Sequence, residues 1–175
     1  SSLWPRSGAW VAFRNWFAAP ISEEICFRGC VCALMLSAGI DNRTVGFTSP
    51  FVFGLAHVHH IFFPTKKDGL PVDPLSSRLI KGGVQITYTT IFGWYCCFLF
   101  IRTGHLAAPI AAHCFCNTMG LPDFSFNHAN HHLHRYRTPL FAIYFAGMAL
   151  FMQLMYPLTA GFPAVVYWHD KEHHW

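Results

Sequence analysis

The sequence predicts an all-α fold, a polytopic bundle of transmembrane helices, and three observations carry that prediction. Hydrophobic residues fill 53% of the 175 positions, while charged residues fill only 11%, against about 25% in soluble domains. Aromatic residues, counted within that hydrophobic share, make up 17% of the chain, giving more apolar surface than one small globule can bury. Several apolar runs reach or approach the roughly 20 residues that a helix needs to cross a bilayer. The formal charge of +4 is spread over loops, so the chain lacks the basic footprint of a nucleic-acid binder.

Taken in order, residues 4–17 mix tryptophan and phenylalanine with Arg6, Arg14 and Asn15, a composition suited to the headgroup region. Ala18-Ala19-Pro20-Ile21 predicts a break, because proline disfavours helix in the residue before it. A half-buried helix is expected over 23–38, closed by a turn at Gly39-Ile40-Asp41-Asn42. The run 44–63 carries no acid or base other than histidine and meets the spanning length, with Pro50 and Gly54 tolerated inside it. A polar connection follows over 64–83, holding Lys66, Lys67, Asp68, Asp73, Arg78 and Lys81. The cleanest span is 84–101, ending at Arg102, and a shorter apolar helix is expected over 106–119. A histidine-rich hydrophilic patch occupies 127–134, and 138–159 reads as the last transmembrane helix, broken near Pro157. The histidine-rich patch and the tail 169–175 read as solvated segments able at most to bind metal adventitiously. No internal repeat divides the chain, so 1–175 is expected to form a single membrane-embedded domain.

The seven cysteines, an odd number, all lie in apolar runs. They read as reduced packing residues rather than a disulfide framework or a zinc site.

The chemistry centres on Ser22-Glu23-Glu24-Ile25-Cys26-Phe27-Arg28-Gly29. Charges at membrane depth are costly, so those present are expected to be paired, inward-facing and functional. With Ser22 as a helix cap, Glu23 and Glu24 would occupy a first turn, where the dipole favours negative charge. Glu24 and Arg28 are four apart and able to pair on one face. Glu23 lies roughly 100° further round. Two further clusters accompany them: His57 with His59 and His60, and His113 with Asn117, again four apart. His113 and Asn117 can each donate a hydrogen bond to a developing oxyanion. Glu23 is suited to act as general base on a water, with His57 positioning it or sharing the proton. Arg28 neutralises Glu24, which leaves Glu23 in a different environment and separates one base from one structural anion.

These residues resemble a known family. Glu23-Glu24-x-x-x-Arg28, Phe53-x-x-x-His57 and His113-x-x-x-Asn117 match in order the three motifs of the CAAX protease and bacteriocin-processing family. The longer strings Ala19-Pro20-Ile21-Ser22-Glu23-Glu24, Phe53-Gly54-Leu55-Ala56-His57-Val58-His59-His60 and Phe98-Leu99-Phe100-Ile101-Arg102-Thr103-Gly104-His105 resemble its eukaryotic type II prenyl endopeptidase branch. Pro109, His113 and Asn117-Thr118-Met119-Gly120 continue the likeness, which covers 17–122. It implies a multi-pass protease of the endoplasmic reticulum membrane with an intramembrane active site and no cofactor or metal. Its partners would be the lipid bilayer and farnesylated or geranylgeranylated CAAX proteins such as Ras-like small GTPases, from which it would remove the C-terminal tripeptide. Carried over by position, Glu23 and His57 would activate the water, His113 and Asn117 would hold the oxyanion, and Glu24 and Arg28 would support the site. Family members begin with further membrane helices, so upstream spans are expected beyond this chain. A prenyl chain buries about 0.8 kcal/mol per methylene and would approach through the bilayer. Phe27, Phe53, Phe92 and Trp94 are candidates to line its groove.

Two other readings remain open at this stage. One is a zinc-dependent membrane metalloprotease with His57, His113 and Glu23 as ligands, although His-Glu-x-x-His is absent. The other is a non-catalytic membrane scaffold that binds prenylated proteins. A cysteine nucleophile is disfavoured, since His113 and Cys114 are neighbours and diverge on a helix.

Overall fold

The computed structural model describes residues 8–62 and 73–162, and these form helices and connecting turns without a strand. Helix α1 is one continuous helical run over 9–37, whose α-helical turns alternate with two π-helical stretches, Arg14–Ala18 and Ile25–Cys32. Helix α2 (Asn42–Leu55) passes through a 3-10 turn (Ala56–Val58) into the short helix α3 (His59–Phe62). Helix α4 spans Leu75–Thr103, α5 spans Ala107–Met119 and α6 spans Arg137–Thr159. Single 3-10 turns at Ser125–Asn127 and His134–Tyr136 join the last two.

The expected break at Pro20 does not occur. Pro20 sits in the first turn of an α-helical segment that directly follows the first π-helical stretch. Proline inside an α-helix is disfavoured because it lacks an N–H and its ring meets the carbonyl four residues back. The wider π turn ahead of it changes that bonding pattern, so the helix continues. Ser22 is consequently no cap. Its hydroxyl donates to the Ala19 carbonyl at 2.9 Å, in mid-helix, and the first-turn argument for Glu23 and Glu24 falls away.

The turn over 39–42 forms as its residues dictate. Gly39 takes φ +80, a conformation that side chains disfavour. Asp41 then caps α2 by accepting the Thr44 amide at 3.0 Å. Hydrogen bonds from Thr44 hold the Asp41 carboxyl below the ordinary carboxylate range.

The expected run 44–63 is interrupted at Ala56–Val58, and α4 begins at Leu75 rather than at 84. Residues read as loop instead form its first turns. There Arg78 donates to the Ile61 carbonyl at 2.9 Å and Lys81 pairs with Asp73 at 2.7 Å. The remainder of that connection, with Lys66, Lys67 and Asp68, lies outside the described residues, as do residues 1–7 and the tail 169–175. Among the described residues, two helical stretches are long and apolar enough to cross a bilayer. They are Leu75–Thr103 and His134–Thr159, with mean hydropathy 1.4 and 1.5. Helix α6 is exposed along nearly its whole length.

The core lies where α1, α2 and α4 meet, around Cys32, Leu36, Val45, Cys97, Phe100 and Ile101. All seven cysteines are free. Helices α2 and α4 approach closely because glycines face their partners. A Cβ on Gly93 would come within 3.0 Å of Pro50, and one on Gly54 would strike Thr90 Oγ1. Small residues at such crossings let backbones pack without an intervening side chain. Gly104, in the left-handed region at φ +67, ends α4 and donates to Phe100 O at 2.8 Å. Arg102 ties α6 to α4 through Thr159 Oγ1 at 3.2 Å.

Candidate active site

Three segments bring the sequence-singled residues together: the second π-helical stretch of α1 and the turn before it, the end of α2, and the middle of α5. Helix α1 contributes Glu23, Glu24, Phe27 and Arg28. The Arg28 guanidinium donates to Glu24 Oε1 at 3.0 Å, the i,i+4 pair that the spacing implied, and both side chains are almost completely buried. A second guanidinium nitrogen donates to the Gly93 carbonyl of α4 at 3.2 Å. Helical carbonyls normally bond within their own helix. This contact joins residues 65 positions apart, so no local spacing in the sequence signals it. The guanidinium also lies 4.6 Å from the centre of the Phe53 ring.

His113 of α5 completes the group. Its Nδ1 donates to the same Glu24 oxygen at 2.7 Å, and its Nε2 faces Glu23 Oε2 at 3.7 Å. Glu24 is thus the buried hub, holding a cation on its own helix and an imidazole from another. Glu23 stays about one-third exposed. The two adjacent carboxylates therefore have the different environments that their positions suggested. The second Glu24 oxygen is buried without a hydrogen-bond partner.

Phe53, buried at the end of α2, is the aromatic centre of the site. It meets Phe27 edge-on at 4.9 Å, His57 at 5.1 Å and His113 at 6.1 Å between ring centres. Phe92 flanks His113 at 4.9 Å. His57 Nδ1 donates to the Phe53 carbonyl at 2.9 Å, which makes Nε2 its basic nitrogen. The change from α-helix to 3-10 turn at Ala56 aims this imidazole.

Two residues are placed differently from the rest. Asn117 lies one turn beyond His113 at the exposed end of α5, where Nδ2 donates to the Asn15 carbonyl of α1 at 3.0 Å. A carboxamide carries two N–H donors, so one remains for another acceptor. Trp94 turns away from the site. It stacks on Phe47 with ring centres 6.0 Å apart, while its neighbour Gly93 faces Arg28. Phe27 and Phe53 thus lie against the Glu24, Arg28, His57 and His113 cluster, and Trp94 lines another face of the bundle. Among the described residues, no three His, Cys, Asp or Glu side chains form a group able to hold a metal ion. The trio of His57, His113 and Glu23 therefore does not make the zinc site considered from the sequence.

Chemically, the arrangement offers a semi-exposed carboxylate beside the His113 imidazole, with the His57 imidazole against the Phe53 ring and a neutralising arginine in an apolar setting. Such a set can remove a proton from a bound water and stabilise the charge that then develops on a carbonyl oxygen.

Comparison with known proteins identifies the family of the chain. Residues 5–119 match the family model described as type II CAAX prenyl endopeptidase Rce1-like. The chain is 42% identical over 147 residues to CAAX prenyl protease 2 of Arabidopsis thaliana, covering 84% of this chain and 44% of that protein. It is 39% identical over 146 residues to CAAX prenyl protease 2 of Homo sapiens, covering 83% and 42%. Probable CAAX prenyl protease 2 of Schizosaccharomyces pombe is 38% identical over 114 residues, covering 64% and 40%. The chain thus spans less than half the length of these three relatives. No solved structure matches it. The matched region contains the whole Glu23, Glu24, Arg28, His57, His113 and Asn117 constellation, and the chain is an all-helical membrane protein that belongs to the type II CAAX prenyl endopeptidase Rce1-like family.

Proposed function

We propose that this chain carries the catalytic core of a membrane endopeptidase that removes the C-terminal tripeptide from prenylated CAAX proteins. The observation that carries the reading is the shared Glu24 oxygen, which holds Arg28 at 3.0 Å and His113 at 2.7 Å while Glu23 stays partly open to solvent.

In this mechanism Glu23 takes a proton from a water molecule positioned with the help of His57 Nε2. The resulting hydroxide attacks the carbonyl carbon of the prenylcysteine, and the carbonyl oxygen becomes an oxyanion. His113 and Asn117 supply its hydrogen bonds. Because His113 Nδ1 is committed to Glu24, its Nε2 is the nitrogen that meets the oxyanion, and it donates there when the ring carries both protons. Glu23 returns its proton to the leaving amine as the peptide bond breaks. Glu24 and Arg28 touch no substrate and act as positioning residues that fix the His113 ring.

The substrates would be farnesylated or geranylgeranylated proteins such as Ras-like small GTPases, met at the endoplasmic reticulum membrane by a multi-pass enzyme. Phe27, half-buried beside the Glu24, Arg28, His57 and His113 cluster, would meet the prenyl chain near the scissile bond, with Phe53 buried behind it. The test is tripeptide release from a prenylated CAAX peptide in membranes, by the parent and by Glu23→Ala, with the unprenylated peptide alongside. Cleavage that requires both the glutamate and the prenyl group supports the proposal. Cleavage by Glu23→Ala at the parent rate overturns it. Binding of the prenylated peptide without cleavage by the parent would favour the scaffold reading.

A further inference from the structure

The outer face of α2 and α4 carries an open groove of about 370 Å³, lined by Arg43, Gly46, Phe47, Trp94, Phe98 and Ile101. Arg43 is its one charged residue, and the remaining walls are apolar or aromatic. The wall is built rather than incidental. Trp94 Nε1 donates to the Phe47 carbonyl at 3.1 Å, and Phe51 meets Trp94 edge-on at 5.7 Å. Arg43 lies in the first turn of α2, beside the polar turn at Asp41 and Asn42. Charged and polar residues at a helix end, followed by an apolar face, belong at the level of lipid headgroups.

The order of chemistry along the groove is therefore a guanidinium at the headgroup level, then aromatic walls running towards the apolar interior. We propose that this groove binds an anionic phospholipid of the surrounding bilayer. Its phosphate pairs with Arg43, and one acyl chain lies along Phe47, Trp94 and Phe98. A guanidinium meets phosphate oxygens through paired N–H donors, and the net negative charge of an anionic headgroup adds an attraction that zwitterionic phosphatidylcholine, with the same phosphate, lacks. A prenyl chain alone carries no anion to meet Arg43, and the C-terminal carboxylate of a prenylated peptide is distinguished from a lipid headgroup by the displacement measurement below. The groove mouth is also remote from the chemistry, since Arg43 and His57 lie about 20 Å apart at 1.5 Å per helical residue. The inference requires only that the chain sits in a bilayer, so it stands or falls separately from the peptidase reading.

Lipid nanodiscs test it directly. The full chain is reconstituted in phosphatidylcholine containing either dibrominated phosphatidylserine or, at equal bromine content, dibrominated phosphatidylcholine. Quenching at Trp94 is read as the difference between the parent and Trp94→Phe. One arginine at a charged membrane surface predicts about a fivefold preference for the anionic lipid. Arg43→Gln should abolish that preference and Arg43→Lys should retain most of it, with helix content unchanged in both. Equal quenching by the two lipids, or a preference that survives in Arg43→Gln, overturns the proposal. Quenching by neither lipid would mean that protein covers the groove, and displacement of the brominated lipid by a prenylated peptide would assign it to substrate. Either result also overturns the proposal.

Discussion

His113 Nδ1 reaches Glu24 Oε1 at 2.7 Å, joining residues 89 positions apart in the chain. The same oxygen accepts from Arg28 at 3.0 Å, so one buried carboxylate fixes the relation between α1 and α5. Carboxylate and guanidinium compensate each other's desolvation, and the imidazole takes its orientation from the pair.

Glu24→Ala leaves the Arg28 guanidinium buried without its carboxylate. Removing one member of a buried pair costs about 3–5 kcal/mol. Thermal unfolding in detergent should show a large loss of Tm, with tripeptide release lost as well. Glu24→Gln keeps an oxygen acceptor and should fall between parent and Ala. An unchanged Tm in Glu24→Ala would mean that the pair contributes nothing to the fold.

Glu23 is partly exposed and makes no contact as short as those of Glu24. Glu23→Gln should therefore keep the parent Tm while losing about 10²–10⁴-fold in turnover, the range for a general base. Cys114→Ser serves as the control. Cys114 is a free thiol on α5 next to His113, and its replacement should leave turnover nearly intact.

Asn117 sits at the exposed end of α5 with one donor on Asn15. Asn117→Ala should change Tm little and lower kcat by about 10²–10³, the usual effect of removing one oxyanion donor. The loss should appear in kcat more than in KM. An effect on Tm alone would make Asn117 a tie between α1 and α5 rather than a catalytic donor.

Gly54 lets α2 lie against α4, and an added Cβ would strike Thr90 Oγ1. Gly54→Ala should destabilise by about 1–3 kcal/mol, the range for overpacking a core. Thr90→Ala in the same chain removes the struck oxygen and should recover part of the loss. Thermal unfolding of the two single variants and the double variant would measure that coupling.

The all-helical class was legible in composition and run length, because apolar residues at that density have few other places to go. The Glu24–Arg28 pair was legible too, since four residues is a local helical repeat and needs no knowledge of the fold. The same local reasoning misjudged Pro20 and Ser22, where a π-helical stretch replaced the regular turn. It also began α4 too late, because charged residues read as loop form its first turns, where Arg78 holds the Ile61 carbonyl and Lys81 pairs with Asp73.

By itself, then, the sequence determined that the protein is helical and membrane-bound, that Glu24 and Arg28 pair, and which motifs it shares with its family. Only the tertiary structure decided that Glu24 would hold His113, that the Gly93 carbonyl would receive Arg28, and that Trp94 would face away from the site. The division has a physical cause. Contacts three or four residues apart follow from the helical repeat, which the chain carries locally. Contacts between helices depend on how each helix is rotated and how closely it crosses its neighbour, and glycines at Gly54 and Gly93 set that approach.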